Sequence, residues 1–142
     1  MQAFYTEAIL ISEQNVEATR RILDAAERRD YQAVLVDLDR GIEIDDKDII
    51  DADDYRGHDS FIRWMARWSE SWDSWRLQNT EIRSVGEDYV VALFVLVVRG
   101  KGSGIELERR DALVCKFQSA KVVQMGYYND QQQALEAAGL SE

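Results

Sequence analysis

Ten residues decide how this chain folds: Tyr89-Val90-Val91-Ala92-Leu93-Phe94-Val95-Leu96-Val97-Val98. They include no charge, no glycine and no proline. β-Branched and aromatic types dominate, so the stretch reads as a strand. A strand with one face in water alternates apolar with polar residues. This one is apolar on both parities, so both of its faces must be covered. The register adopted here turns Leu93, Val95 and Val97 toward an interior. It leaves Phe94, Leu96 and Val98 to pack on helices or on a second copy of the chain.

Outward from this strand the pattern stays β. Arg76 to Val85 precedes it across a Gly86-Glu87-Asp88 turn. Ile105 to Phe117 follows a loop holding Gly100, Gly102 and Gly104, and Lys121 to Tyr128 follows a turn at Gln118 to Ala120. The glycine loop leads into a strand, so it is no dinucleotide fingerprint. Asp130 caps a closing helix through Ala138, and Gly139 stops it.

The first half is helical. Ser12 is read as the N-cap of a helix to about Arg29, with Val16, Thr19, Ile22, Leu23 and Ala26 on one stripe. Residues 1–11 are an extension whose type stays open. Asp30 caps a short second helix that Gly41 ends, and Ile42 to Asp45 reads as a short strand. From Asp59 or Ser60 a long helix follows, with Phe61, Trp64, Met65, Trp68, Trp72 and Trp75 at steps of three and four. That stripe carries all four tryptophans of the chain. An indole N–H needs a partner when buried, so one or two of these rings are expected to line a cavity. Helices first, then a meander, then one helix imply an α+β fold with helices on one face of a curved antiparallel sheet. A single domain over residues 1–142 is expected.

Composition removes several functions. The 142 residues carry 27 acidic and 17 basic side chains, a net charge of −10. Phosphate backbones and anionic membranes repel such a surface, so neither nucleic acid nor membrane is an expected partner. No stretch reaches the length of a membrane span, and Met1 to Ile11 lacks the features of a secretory leader. A cytoplasmic protein is expected. The one cysteine, Cys115, reads as a buried thiol. Aspartates at 45, 46, 48, 51, 53 and 54 cluster before the long helix. Their spacing lacks the glycine and glutamate of a calcium loop, so they read as a solvated acidic loop. His58, the single histidine, reads as a helix-entry or surface residue. No metal and no cofactor are expected.

Taken in order, several short pieces resemble the SnoaL-like branch of the nuclear-transport-factor-2-like superfamily over about Ser12 to Leu140. They are Asn15-Val16-Glu17, Arg29-Asp30-Tyr31, Tyr55-Arg56-Gly57-His58, Gly86-Glu87-Asp88, Gly102-Ser103-Gly104, Tyr128-Asn129-Asp130 and Ala134-Leu135-Glu136-Ala137-Ala138-Gly139-Leu140. Gln118-Ser119-Ala120-Lys121 departs from the Asp-Gly-Lys turn usual in such relatives. The resemblance implies a cystatin-like cone, in which a curved antiparallel sheet wraps three N-terminal helices and a short C-terminal helix follows. It also implies an apolar pocket at the open end and a homodimer through the outer sheet face, assigned here to Phe94, Leu96 and Val98.

Members of that superfamily include cyclases, isomerases, dehydratases, epoxide hydrolases and non-catalytic modules. The positions that isomerase-like relatives use for catalysis fall on Ile22, Ile44 and Leu113. All are apolar, so that proton-transfer mechanism is not expected. The resulting expectation is a pocket for a small hydrophobic or aromatic molecule. Ile22, Ile44, Trp64, Trp68, Leu93, Val95, Leu113 and Met125 would line it, with Asp111 and Tyr127 as polar contacts. Asp111, or Asp45 through a bulge, is the alternative general base of an enzyme. A packed dimerisation module is the third reading.

Overall fold

In a computed structural model, residues 2–46 and 55–139 are described. The chain runs α1 (Gln2–Glu27), α2 (Tyr31–Leu35), β1 (Leu38–Asp46), β2 (Tyr55–Arg56), α3 (His58–Ser71), β3 (Trp72–Val85), β4 (Tyr89–Gly100), β5 (Glu106–Gln118), β6 (Lys121–Tyr128) and α4 (Gln131–Ala137). The described strands form one curved sheet in the order β2-β1-β6-β5-β4-β3. The β3–β6 meander is antiparallel, as its short turns require. β1 joins β6 in parallel, so the sheet as a whole is mixed.

Three local expectations change. Residues 2–11 are the first turns of α1, so Ser12 lies inside the helix and donates to the Gly86 carbonyl instead of capping. Gly41 lies within β1 rather than ending α2. The long helix stops at Ser71, and Trp72 enters β3 in an extended conformation (φ −135°, ψ 143°). Trp72 and Trp75 are therefore strand residues, yet both rings still meet Trp68, at centroid distances of 6.5 and 6.3 Å. The acidic aspartates at 48, 51, 53 and 54 lie outside the described residues. His58 sits at the start of α3, with Nε2 3.0 Å from the Leu38 carbonyl.

The Ser119-Ala120 turn shows what its sequence departure costs. Both residues hold positive φ, 50° and 68°. That region suits Asn, Asp and Gly, and a β-carbon there costs about 1 kcal/mol per residue.

The central strand carries the main correction. Val90, Ala92, Phe94, Leu96 and Val98 join the core with Ala18, Ile22 and Leu23 of α1 and Phe61, Trp64 and Met65 of α3. Val91 and Leu93 face the other way, with Ala112 and Val114, under Ala134 of α4 and Ala138 at its C-cap. The expected parity of β4 is thus reversed. Phe94, Leu96 and Val98 are buried beneath the helices and cannot form an outer interface. Pairing sets this phase: Phe94 lies opposite Asp111 and Ala92 opposite Leu113, so even residues of β4 share a face with odd residues of β5. Gln131 of α4 fixes the outer layer by donating to the carbonyls of Phe94 and Asp111.

Candidate functional site

The concave side of the sheet and the helices α1 and α3 enclose a cavity of about 50 Å³. From α1 come Ile22, Leu23 and Ala26, and from α3 Phe61, Trp64, Met65 and Trp68. The sheet supplies Trp75 and Leu77 from β3, Phe94 and Leu96 from β4, Leu113 from β5, and Met125 and Tyr127 from β6. The helical stripe of α3 delivers its rings here because residues three and four apart share a face. The strands deliver theirs by alternation, as at Leu113/Cys115 and Met125/Tyr127.

Of the expected lining residues, Ile22, Trp64, Trp68, Leu113, Met125 and Tyr127 stand around this cavity. Ile44 is buried in the same core but does not line it. Leu93 lies under α4, and Val95 is half-buried on the outer face, so neither reaches the cavity. Phe94 and Leu96 occupy the places assigned to them, for the pairing reason given above.

A polar cluster backs one wall. Asp111 is fully buried. Its carboxylate receives two hydrogen bonds from Arg109, at 2.7 and 2.9 Å, and one from the Tyr127 hydroxyl at 2.6 Å. Asp111 therefore pairs with Arg109 while facing inward. Asp46 is a second inward carboxylate, 2% exposed, that accepts the Trp64 indole N–H at 2.8 Å. It lies opposite Tyr127 in the β1–β6 pairing. Sequence reasoning passed over Asp46, although Ile42, Ile44 and Asp46 share one parity and the Trp64 N–H needed an acceptor. Asp45 has the opposite parity and is exposed, beside Glu43 and Gln124 on the outer surface. It cannot act as a base in the cavity.

Burial first, and then the charge of Asp111, push the Tyr127 hydroxyl well above its ordinary value. Tyr127 is thus a fixed donor, and Asp111 is saturated by donors. Burial pushes the Cys115 thiol up to about 12, against a hydrogen bond with Thr19. It is no nucleophile at neutral pH. Ile22 and Leu113 line the cavity, Ile44 is buried beside it, and no catalytic carboxylate stands at these positions. The indole N–H groups of Trp72 and Trp75 are buried without partners among the described residues.

No protein-family model and no curated protein matches the sequence, but solved structures match the fold. A protein of unknown function from Burkholderia pseudomallei K96243 superposes with a TM-score of 0.74 at 20% identity, over 87% of this chain and 95% of that one. TerC, co-crystallised with polyporic acid, gives 0.73 at 18% identity over 89% and 98%. A candidate SnoaL-like polyketide cyclase from Jannaschia sp. CCS1 gives 0.71 at 19% identity over 93% and 96%. The fold is the nuclear-transport-factor-2-like cone. In this cone the cavity lies between helices and concave sheet, and no described helix is long and apolar enough to cross a membrane. At these identities the likeness fixes the architecture and leaves the chemistry to the residues.

Proposed function

We propose that this protein is a single cytoplasmic domain that binds a small, compact, mainly apolar molecule inside a SnoaL-like cone. The observation carrying this reading is the cavity itself: about 50 Å³, walled by aliphatic and aromatic side chains, with buried Asp111 and Tyr127 and partly exposed Arg109 behind it. Small-molecule sites commonly span ~300–1,000 Å³. A cavity this size favours a ligand of few heavy atoms over a steroid or polyketide. Burial of ligand surface would supply most of the affinity. That TerC was co-crystallised with polyporic acid supports ligand binding as a use of this fold. Binding is preferred to catalysis because the Asp111 carboxylate is already held by Arg109 and Tyr127.

Tryptophan fluorescence tests the reading, since Trp64, Trp68 and Trp75 border the cavity. Titration with compact ligands should give a saturable change, and bulky steroids should give none. A flat response across compact ligands would overturn it. The second reading is a packed dimerisation module, favoured by the cavity's small size. Its interface would be the outer face around half-buried Val95, and sedimentation of Val95→Lys against the parent chain would test it.

A further inference from the structure

Buried hydrogen-bond donors in folded chains almost always have partners, so a donor without one points to something that meets it. The Trp75 indole N–H is such a donor. Trp75 is 8% exposed, lines the cavity, and gives its N–H to no acceptor among the described residues. Trp72 is in the same state, but its half-buried ring does not line the cavity. The Trp75 ring is held in place. Arg29 lies over its face at 4.3 Å and donates to its backbone carbonyl at 3.3 Å, and Trp68 meets it at 88°. A guanidinium over the face draws electron density from the indole and makes its N–H a stronger donor.

The rest of the wall is apolar. Trp64 and Tyr127 give their protons to Asp46 and Asp111. Around them stand hydrocarbon side chains and the thioethers of Met65 and Met125. This balance selects among occupants. A buried water makes about two to four hydrogen bonds, and here it would find one donor. An alcohol or amide brings a proton that no group accepts. A charged group would lose its hydration and meet no counter-charge at the wall. A carbonyl or ether oxygen is satisfied by one donor, and a hydrocarbon remainder suits the wall. The volume of about 50 Å³ equals about four water-sized units, which limits that remainder to a few carbons.

We infer that the cavity takes a compact neutral carbonyl or ether compound, whose oxygen accepts the Trp75 indole N–H. The inference rests on the ligand-binding reading above and adds the polar group of the ligand and the residue that receives it. The nitrogen itself is closed off. Seating the oxygen therefore turns aside the Trp68 ring, which is half-buried and edge-on to Trp75. The test titrates cyclopentanone into the intact, nitrogen-15-labelled protein and follows the four indole N–H signals by NMR. Methylenecyclopentane is the control, the same shape with a methylene group replacing oxygen. Cyclopentanone should move the Trp75 signal downfield and saturably, and the control should not. Trp75→Phe identifies the signal and should weaken cyclopentanone about three- to tenfold relative to the control. If that variant fails to fold, assignment of the indole signals in the parent protein identifies it. Binding of both compounds without a downfield shift would overturn the hydrogen bond and leave the apolar pocket standing. So would a Trp75 signal already bonded to water before ligand is added. Cyclopentanol binding as tightly as cyclopentanone would overturn the exclusion of donors. Binding of neither ring compound would overturn both readings.

Discussion

Two arginine–carboxylate pairs sit two residues apart on strands of one sheet, one pair on each face. On the inside, Arg109 grips Asp111, whose carboxylate has 0% exposure while the arginine keeps 38%. On the outside, Arg83 meets Glu81 with similar geometry, but the side chains are 46% and 57% exposed. The chemistry is nearly the same and the energetics are not. Water screens the outer pair, whose worth is a fraction of a kcal/mol. The inner carboxylate has lost its water, so it depends on Arg109 and Tyr127. The two faces of β4 differ in the same sense: Phe94 and Leu96 meet helices across a dry core, whereas Val95 is half-buried outside.

The largest effect should come from truncating the inner face. Phe94→Ala is expected to cost about 3–5 kcal/mol, Leu93→Ala about 2 because α4 covers it, and Val95→Ala less than about 1. Urea unfolding gives all three. If Leu93→Ala costs more than Phe94→Ala, the face assignment of β4 is wrong. Next come the two ion pairs. Asp111→Asn should lose about 2–3 kcal/mol, toward the low end for a buried pair because Arg109 is partly solvated. Glu81→Gln should lose under about 0.5 kcal/mol. Equal losses would mean that water reaches Asp111.

The smallest effect sharpens the contrast through pH. Cys115 and Tyr127 lie on the inner face with pKa values raised, the thiol to about 12. In the unfolded chain they ionise near ~8.5 and ~10. Above pH ~8.5 the folded state therefore binds more protons than the unfolded one, and stability falls as pH rises. Each group's contribution is complete below its unfolded pKa and is lost as pH climbs toward its folded value. The slope is about 1.4 kcal/mol per pH unit per group. Urea midpoints at pH 8, 9.5 and 10.5 should decline in that order, and Cys115→Ala should remove the part that begins first. A level profile would show that neither group is buried as described.

Much of this was legible in the residues. The two-sided apolar strand, the turn at Gly86, the Asp130 cap and the Phe61–Trp68 stripe all depend on local chemistry, which neighbours along the chain report. The reversed phase of β4 was not legible, because a strand apolar on both parities has no sequence signal for which face is which. The end of α3 was missed for a related reason. Trp72 and Trp75 continue the helical spacing, but their rings reach Trp68 from a strand. Asp46 was hidden in a run of aspartates whose charges look alike until one of them meets an indole.

The sequence by itself determined the order of elements, the need to cover both faces of the central strand, and the absence of carboxylates at Ile22, Ile44 and Leu113. Those are statements about composition and period, and each residue carries them wherever it is placed. Tertiary structure alone decided that Phe94 rather than Leu93 meets the cavity, that Asp111 is dry and Asp45 wet, and that six rings close around about 50 Å³. Strand pairing fixes those outcomes. A one-residue change of phase turns every side chain of a strand to the opposite face, and only the partner strands and the helices above them select the phase.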